Sequence, residues 1–168
     1  MESRPVLEIE PSPFDKILEG ASFILLIVFW LVVVQQFLVL PAVIPTHFNA
    51  AGVPDDYNDK ALLFLLPGIA TALYILLTLI TRNPHQFNYP LKINPENARR
   101  QYILAMRLIR MIKIAIILSM FLILLHIARS ANGNTNGLER WILPILLTLI
   151  FSPIIYYFIQ SQRKTQKT

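Results

Sequence analysis

Four apolar runs constrain this chain more than any motif in it: Ala21–Leu40, Ala61–Ile80, Ile114–Ala128 and Trp141–Ile159, none containing an Asp, Glu, Lys or Arg. A helix rises about 1.5 Å per residue, so about 20 residues cover a hydrocarbon core of about 30 Å with every backbone amide satisfied internally. The third run reaches that length once it is extended backwards to Arg107, past Lys113. The chain reads as an all-α integral membrane protein, one domain over residues 1–168 with four transmembrane helices. The spans fall near 21–40, 61–81, 107–128 and 141–159, leaving an outer loop at 41–60 and a cytoplasmic loop at 82–106. With 55% hydrophobic and only 15% charged residues, the composition is rare for a soluble domain of this size. The absence of cysteine removes disulfides, thiolate catalysis and cysteine-held metal centres.

Basic residues near span ends stay on the cytoplasmic side, and their distribution here is lopsided. Arg4, Lys16, Arg82, Lys92, Arg99, Arg100, Arg107, Arg110, Lys113, Arg163, Lys164 and Lys167 fall on one side; Lys60, Arg129 and Arg140 fall on the other. Both termini are therefore expected in the cytoplasm, in the inner (cytoplasmic) membrane of the cell. The leader before the first span holds five acidic residues, Glu2, Glu8, Glu10, Asp15 and Glu19, unlike the basic start of a cleaved signal peptide, so the first span is expected to be retained. The formal net charge of +5 is a threading signal and not a nucleic-acid face.

Turn chemistry sets the expected boundaries. Pro41 ends the first span, Asn58 or Asp59 caps the second, and Asn94-Pro95-Glu96 predicts the third helix to start at Pro95. The stretch Asn132 to Gly137 predicts a short flexible connection. Pro67-Gly68 and Pro153 predict kinks. On the third helix, Arg99, Arg100, Arg107, Arg110 and Lys113 share one face. They read as cytoplasmic anchors, or as a docking stripe for anionic lipid headgroups or an acidic partner. Lys113 sits deep enough that it must snorkel or find a counter-charge.

The outer loop is the most specific stretch. Pro41 and Pro45 force extended backbone before them, Gly52 suits a positive φ, and Pro54-Asp55 suits a turn, so an ordered loop is expected. Candidate binding residues there are His47, Asn49, Gly52, Asp55 and Asp56. An ion held by His47, an Asp and His126 from the third helix is the metal-dependent hydrolase alternative. Against it, loop Asp and Asn residues usually cap helices, and the chain lacks a paired His-Glu helix motif, so neither a metal nor a cofactor is assigned. His85 falls on the other side.

Leu40-Pro41, Ile44-Pro45, His47-Phe48-Asn49, Gly52, Pro54-Asp55 and Lys60 together resemble an uncharacterised membrane family, the domain of unknown function 1648. The loop is also similar to that of the immunity family directed against a sporulation-delaying toxin, whose members carry more spans. Asn88-Tyr89-Pro90, Glu96-Asn97-Ala98 and Gln101-Tyr102 extend the likeness to small members of the group. The resemblance implies a bacterial cytoplasmic-membrane protein in immunity or signalling. Since no catalytic constellation is present, the expectation is a non-enzymatic accessory, immunity-type or signalling component that contacts a membrane protein, a peptide or a lipid. A small ion-coupled carrier is the alternative, with Gln35-Gln36 the only strongly polar pair in the first span.

Overall fold

The structure is a computed structural model that describes residues 4–49, 51–133 and 141–163. Its elements are α1 (Pro13–Val39), β1 (Val43–Phe48), β2 (Pro54–Asp59), a 3₁₀ turn (Lys60–Phe64), α2 (Leu65–Ile80), a short 3₁₀ turn (Pro84–Gln86), α3 (Ala98–Ala131) and α4 (Ile142–Gln162). Among the described residues four helical stretches, counting Lys60–Ile80 as one, are long and apolar enough to cross a membrane. Residues Asn134 to Gly137 of the predicted flexible connection, Arg140, Lys164 and Lys167 lie outside the described residues.

The all-α expectation needs correcting, because the loop between α1 and α2 is a β-hairpin. β1 and β2 pair antiparallel from Val43 opposite Asp59 to Phe48 opposite Pro54. Pro45 cannot donate to the ladder, and the register shifts directly after it. The turn closes through Asn49: its amide donates to the Val53 carbonyl at 2.9 Å, and its side-chain oxygen accepts the Ala51 and Val53 amides at 2.9 and 3.0 Å. Gly52 adopts φ 79°, where a Cβ would be strained.

α1 starts eight residues before the apolar run does. Pro13 occupies its first turn, and Ser12 forms a capping box with Asp15. The 3₁₀ turn leading into α2 is capped as expected, the Asp59 carboxylate accepting the Ala61 amide at 2.7 Å. α3 begins at Ala98 and not at Pro95. Asn94 and Asn97 exchange side-chain-to-backbone bonds at 3.0 and 2.9 Å, which completes a separate turn before the helix. Pro67 lies in the first turn of α2, where its missing N–H removes no helical bond. Pro153 lies inside α4.

α3 is the central helix. It packs against α1, α2 and α4, while the packing of α4 is almost wholly onto α3. The core holds Phe29, Val33, Ala70, Ile117 and Leu124, with Phe29 and Phe121 edge-to-face at 5.6 Å. The outer faces carry Ile24, Leu31 and Leu38 of α1, Leu76 and Leu79 of α2, and Leu143, Leu147, Phe151 and Ile155 of α4. Helices apolar on the outside as well as the inside fit a multi-pass membrane protein.

Candidate functional site

The hairpin stands at one end of the helices. Ile44 is fully buried, Phe48 meets the ring of His126 on α3 at 5.2 Å, and β1 rests on α3. Lys60 locks the base: its amide donates to the Ala42 carbonyl and its ammonium to the Leu40 carbonyl, both at 2.9 Å, over the Phe37 ring at 4.9 Å. A cation thus sits at the negative end of α1. β2 differs from β1: Asp55, Asp56, Tyr57, Asn58 and Asp59 are all exposed. Among the described residues β2 pairs only with β1, so its other edge is open.

The hairpin candidates are brought together, each with an internal use as well. His47 pairs with Asp55 at 2.5 Å, and their side chains are 65% and 42% exposed, so the pair faces solvent. Asp56 accepts the Tyr57 amide at 2.9 Å and the Asn58 side-chain amide at 3.0 Å. Asn49 and Gly52 shape the turn. His126 is buried beneath Phe48, unlike exposed His47, and no group of three His, Asp or Glu that could hold a metal ion occurs among the described residues.

The opposite end holds what sequence reading missed. Three basic residues of α3, Arg107, Arg110 and Lys113, turn inward onto two carboxylates of α1, one turn apart. Arg107 donates to Asp15 at 2.9 Å and to Ser12 at 3.1 Å. Arg110 lies 3.4 Å from Asp15 and 3.6 Å from Glu19. Lys113, fully enclosed, donates to Glu19 and, at 3.0 Å, to Thr78 of α2, with the Tyr74 ring 4.6 Å away. Tyr74 donates to Glu19 at 3.3 Å. Lys113 has therefore found a counter-charge and does not snorkel. Arg100 donates to the Arg163 and Gln160 carbonyls at 2.5 and 2.6 Å, capping the end of α4, and Arg99 is exposed. A signal was available, since Asp15 and Glu19 at i, i+4 share a face of α1. Gln35 and Gln36 make no side-chain hydrogen bond among the described residues.

The extended N-terminal segment closes this end. Arg4 donates to the His85 and Phe87 carbonyls at 3.3 and 2.5 Å, and Tyr102 donates to the Pro5 carbonyl at 3.0 Å. Tyr89 donates to the Pro84 carbonyl at 2.8 Å. Burial, with Tyr157 and Tyr102 nearby, pushes its phenol well above the ordinary value, and Arg4 pulls weakly the other way.

Comparison with known proteins adds a partial frame. A protein of Archaeoglobus fulgidus described as uncharacterized is 28% identical over 170 aligned positions, covering 91% of this chain and 92% of its own length. No solved structure matches. The profile of the family described as Domain of unknown function (DUF1648) matches residues 23–71, from the middle of α1 through the hairpin into α2. The match thus covers the segment that builds and presents the hairpin.

Proposed function

We propose that this chain is a non-enzymatic accessory protein of the cytoplasmic membrane, with both termini in the cytoplasm, which recognises a membrane-associated protein or peptide at its hairpin. The observation that carries this is β2, an ordered strand with five consecutive exposed residues, three of them Asp, and an open edge. An open edge pairs with an extended segment through backbone hydrogen bonds, and the carboxylates select a basic one. An immunity-type role is one form of this activity, the captured segment then being a toxic peptide.

Site-specific photocrosslinking in native membranes tests the reading. A crosslinker at Tyr57 is expected to yield a discrete adduct that disappears in Asp55→Lys/Asp56→Lys, while one at outward-facing Leu143 yields lipid. An adduct at Tyr57 insensitive to that charge reversal, or no adduct, refutes it. The Glu19–Lys113 pair favours a second reading, an ion-coupled carrier, because ionisable groups within spans commonly mark ion paths. Proton flux into liposomes that is abolished by Glu19→Gln would select the carrier.

A further inference from the structure

Between the N-terminal segment and the loop after α2 lies a hollow of about 540 Å³, within the range of small-ligand sites. Its wall includes Arg82, His85, Met106 and Arg110, with Glu8 and Glu10 as its acidic members. Arg110 is the distinctive member. In the adjoining cluster three cations, Arg107, Arg110 and Lys113, face two carboxylates, Asp15 and Glu19. Arg107 and Lys113 take up those carboxylates with hydrogen bonds. Arg110 is left at 3.4 and 3.6 Å and donates no hydrogen bond among the described residues, although its side chain is only 12% exposed. A largely enclosed guanidinium that meets the two carboxylates only at ion-pair distance, in a cluster with one more cation than carboxylate, keeps donors for a further anion.

We propose that this hollow binds a phosphate group, Arg110 meeting it from the floor and Arg82 from the loop. The planar fork of arginine matches two phosphate oxygens at once. Arg82 is exposed and makes no ion pair or side-chain hydrogen bond among the described residues, so it is available. Glu8 and Glu10 oppose an anion, but both are exposed and screened by solvent ions. The apolar wall, Val6, Ile9 and Met106, suits the glycerol end of a phospholipid, and a soluble phosphate would use the same two arginines.

The test uses the full chain in neutral detergent, following thermal unfolding against inorganic phosphate in one arm and against dioleoylphosphatidylglycerol, with dioleoylglycerol as its phosphate-free control, in the other. A saturable rise in Tm is expected with a phosphate-bearing probe and not with dioleoylglycerol. Saturation by inorganic phosphate identifies a soluble ligand; saturation by phosphatidylglycerol alone identifies a headgroup. Arg110→Gln and Arg82→Gln should each weaken half-saturation about tenfold, one charge-assisted bond's worth, while Arg99→Gln, outside the hollow, leaves it unchanged. If Arg110→Gln fails to fold, Arg82→Gln decides. The proposal is overturned by no saturable shift with either phosphate probe, by an equal shift with dioleoylglycerol, by Arg82→Gln binding like the wild type, or by an equal loss in Arg99→Gln.

Discussion

The two members of the Glu19–Lys113 pair are not equivalent, and single substitutions should reveal it. Lys113 has a side chain of zero exposure, whereas that of Glu19 is 35% exposed. Glu19→Gln leaves an enclosed ammonium with a neutral amide oxygen in place of the carboxylate, the Thr78 hydroxyl at 3.0 Å and the face of Tyr74 at 4.6 Å. Breaking a buried ion pair from one side costs about 3–5 kcal/mol. The hydroxyl and the ring recover about 1–2 kcal/mol, so a net loss of about 2–3 kcal/mol is expected. Lys113→Met leaves Glu19 with Arg110 at 3.6 Å, the Tyr74 hydroxyl at 3.3 Å and partial access to water, so about 1 kcal/mol is expected. The double variant removes both charges and should be more stable than Glu19→Gln alone. Unfolding in mixed micelles of rising dodecyl sulfate content, followed by tryptophan fluorescence, measures all three. Lys113→Met costing as much as Glu19→Gln, or a double variant equal to the sum of the singles, would refute the asymmetric-burial argument.

Asp15→Ala removes the acceptor of the α1 capping box and the partner of Arg107 together, and should lower stability by about 2–3 kcal/mol, against about 1 kcal/mol for Ser12→Ala; equal losses would mean the ion pair contributes nothing. Gly52→Val forces a branched side chain to φ 79° at a cost of about 1–2 kcal/mol, so amide exchange should quicken at Asn49 and Val53 and stay unchanged in α3. In intact cells a membrane-impermeant maleimide should tag Ala51→Cys and spare Glu96→Cys; the reverse pattern overturns the proposed orientation. Because the Tyr89 phenol is held above its ordinary value of 10.0 in the folded chain, the stability it supplies is fully present below 10.0 and is lost as pH rises from there towards the raised folded-state value. Tyr89→Phe should therefore flatten the fall in stability above about pH 10; an unchanged alkaline profile would contradict this.

The helices were legible because hydrocarbon length and hydropathy are one-dimensional properties, written in consecutive residues. The capping role of Asp59 could be read for a related reason, since it rests on local turn chemistry. That the loop is a hairpin was less visible: Pro45 breaks the ladder, and β2 is so acidic that it has none of the apolar alternation of a half-buried strand. The ion cluster was hidden by distance. Arg107 and Asp15 lie 92 residues apart, and a basic stripe read on its own helix looks the same whether it faces headgroups or a neighbouring helix. What could have distinguished them is the match between the i, i+4 acids of α1 and the three cations of α3 at a common depth.

That match also explains why the helices stand where they do. In lipid there is little hydrophobic drive to hold one apolar helix beside another, so polar pairs and close packing must set register. α1 and α3 run parallel, with Asp15 against Arg107 and Glu19 against Lys113. Sliding α3 by one turn, about 5.4 Å, in one direction would bring Glu19 against Ile116 and Ile117; in the other it would bring Asp15 against Ile103 and Leu104. Either slip strands a charge in an apolar setting at a cost of several kcal/mol. The hairpin emerges from the far end of α1 and rests through Ile44 and Phe48 on the far half of α3, so the same register fixes the height and tilt of β2. The charges at one end of the molecule therefore position β2 at the other, and substitutions in the cluster should alter the capture proposed for the hairpin without touching it.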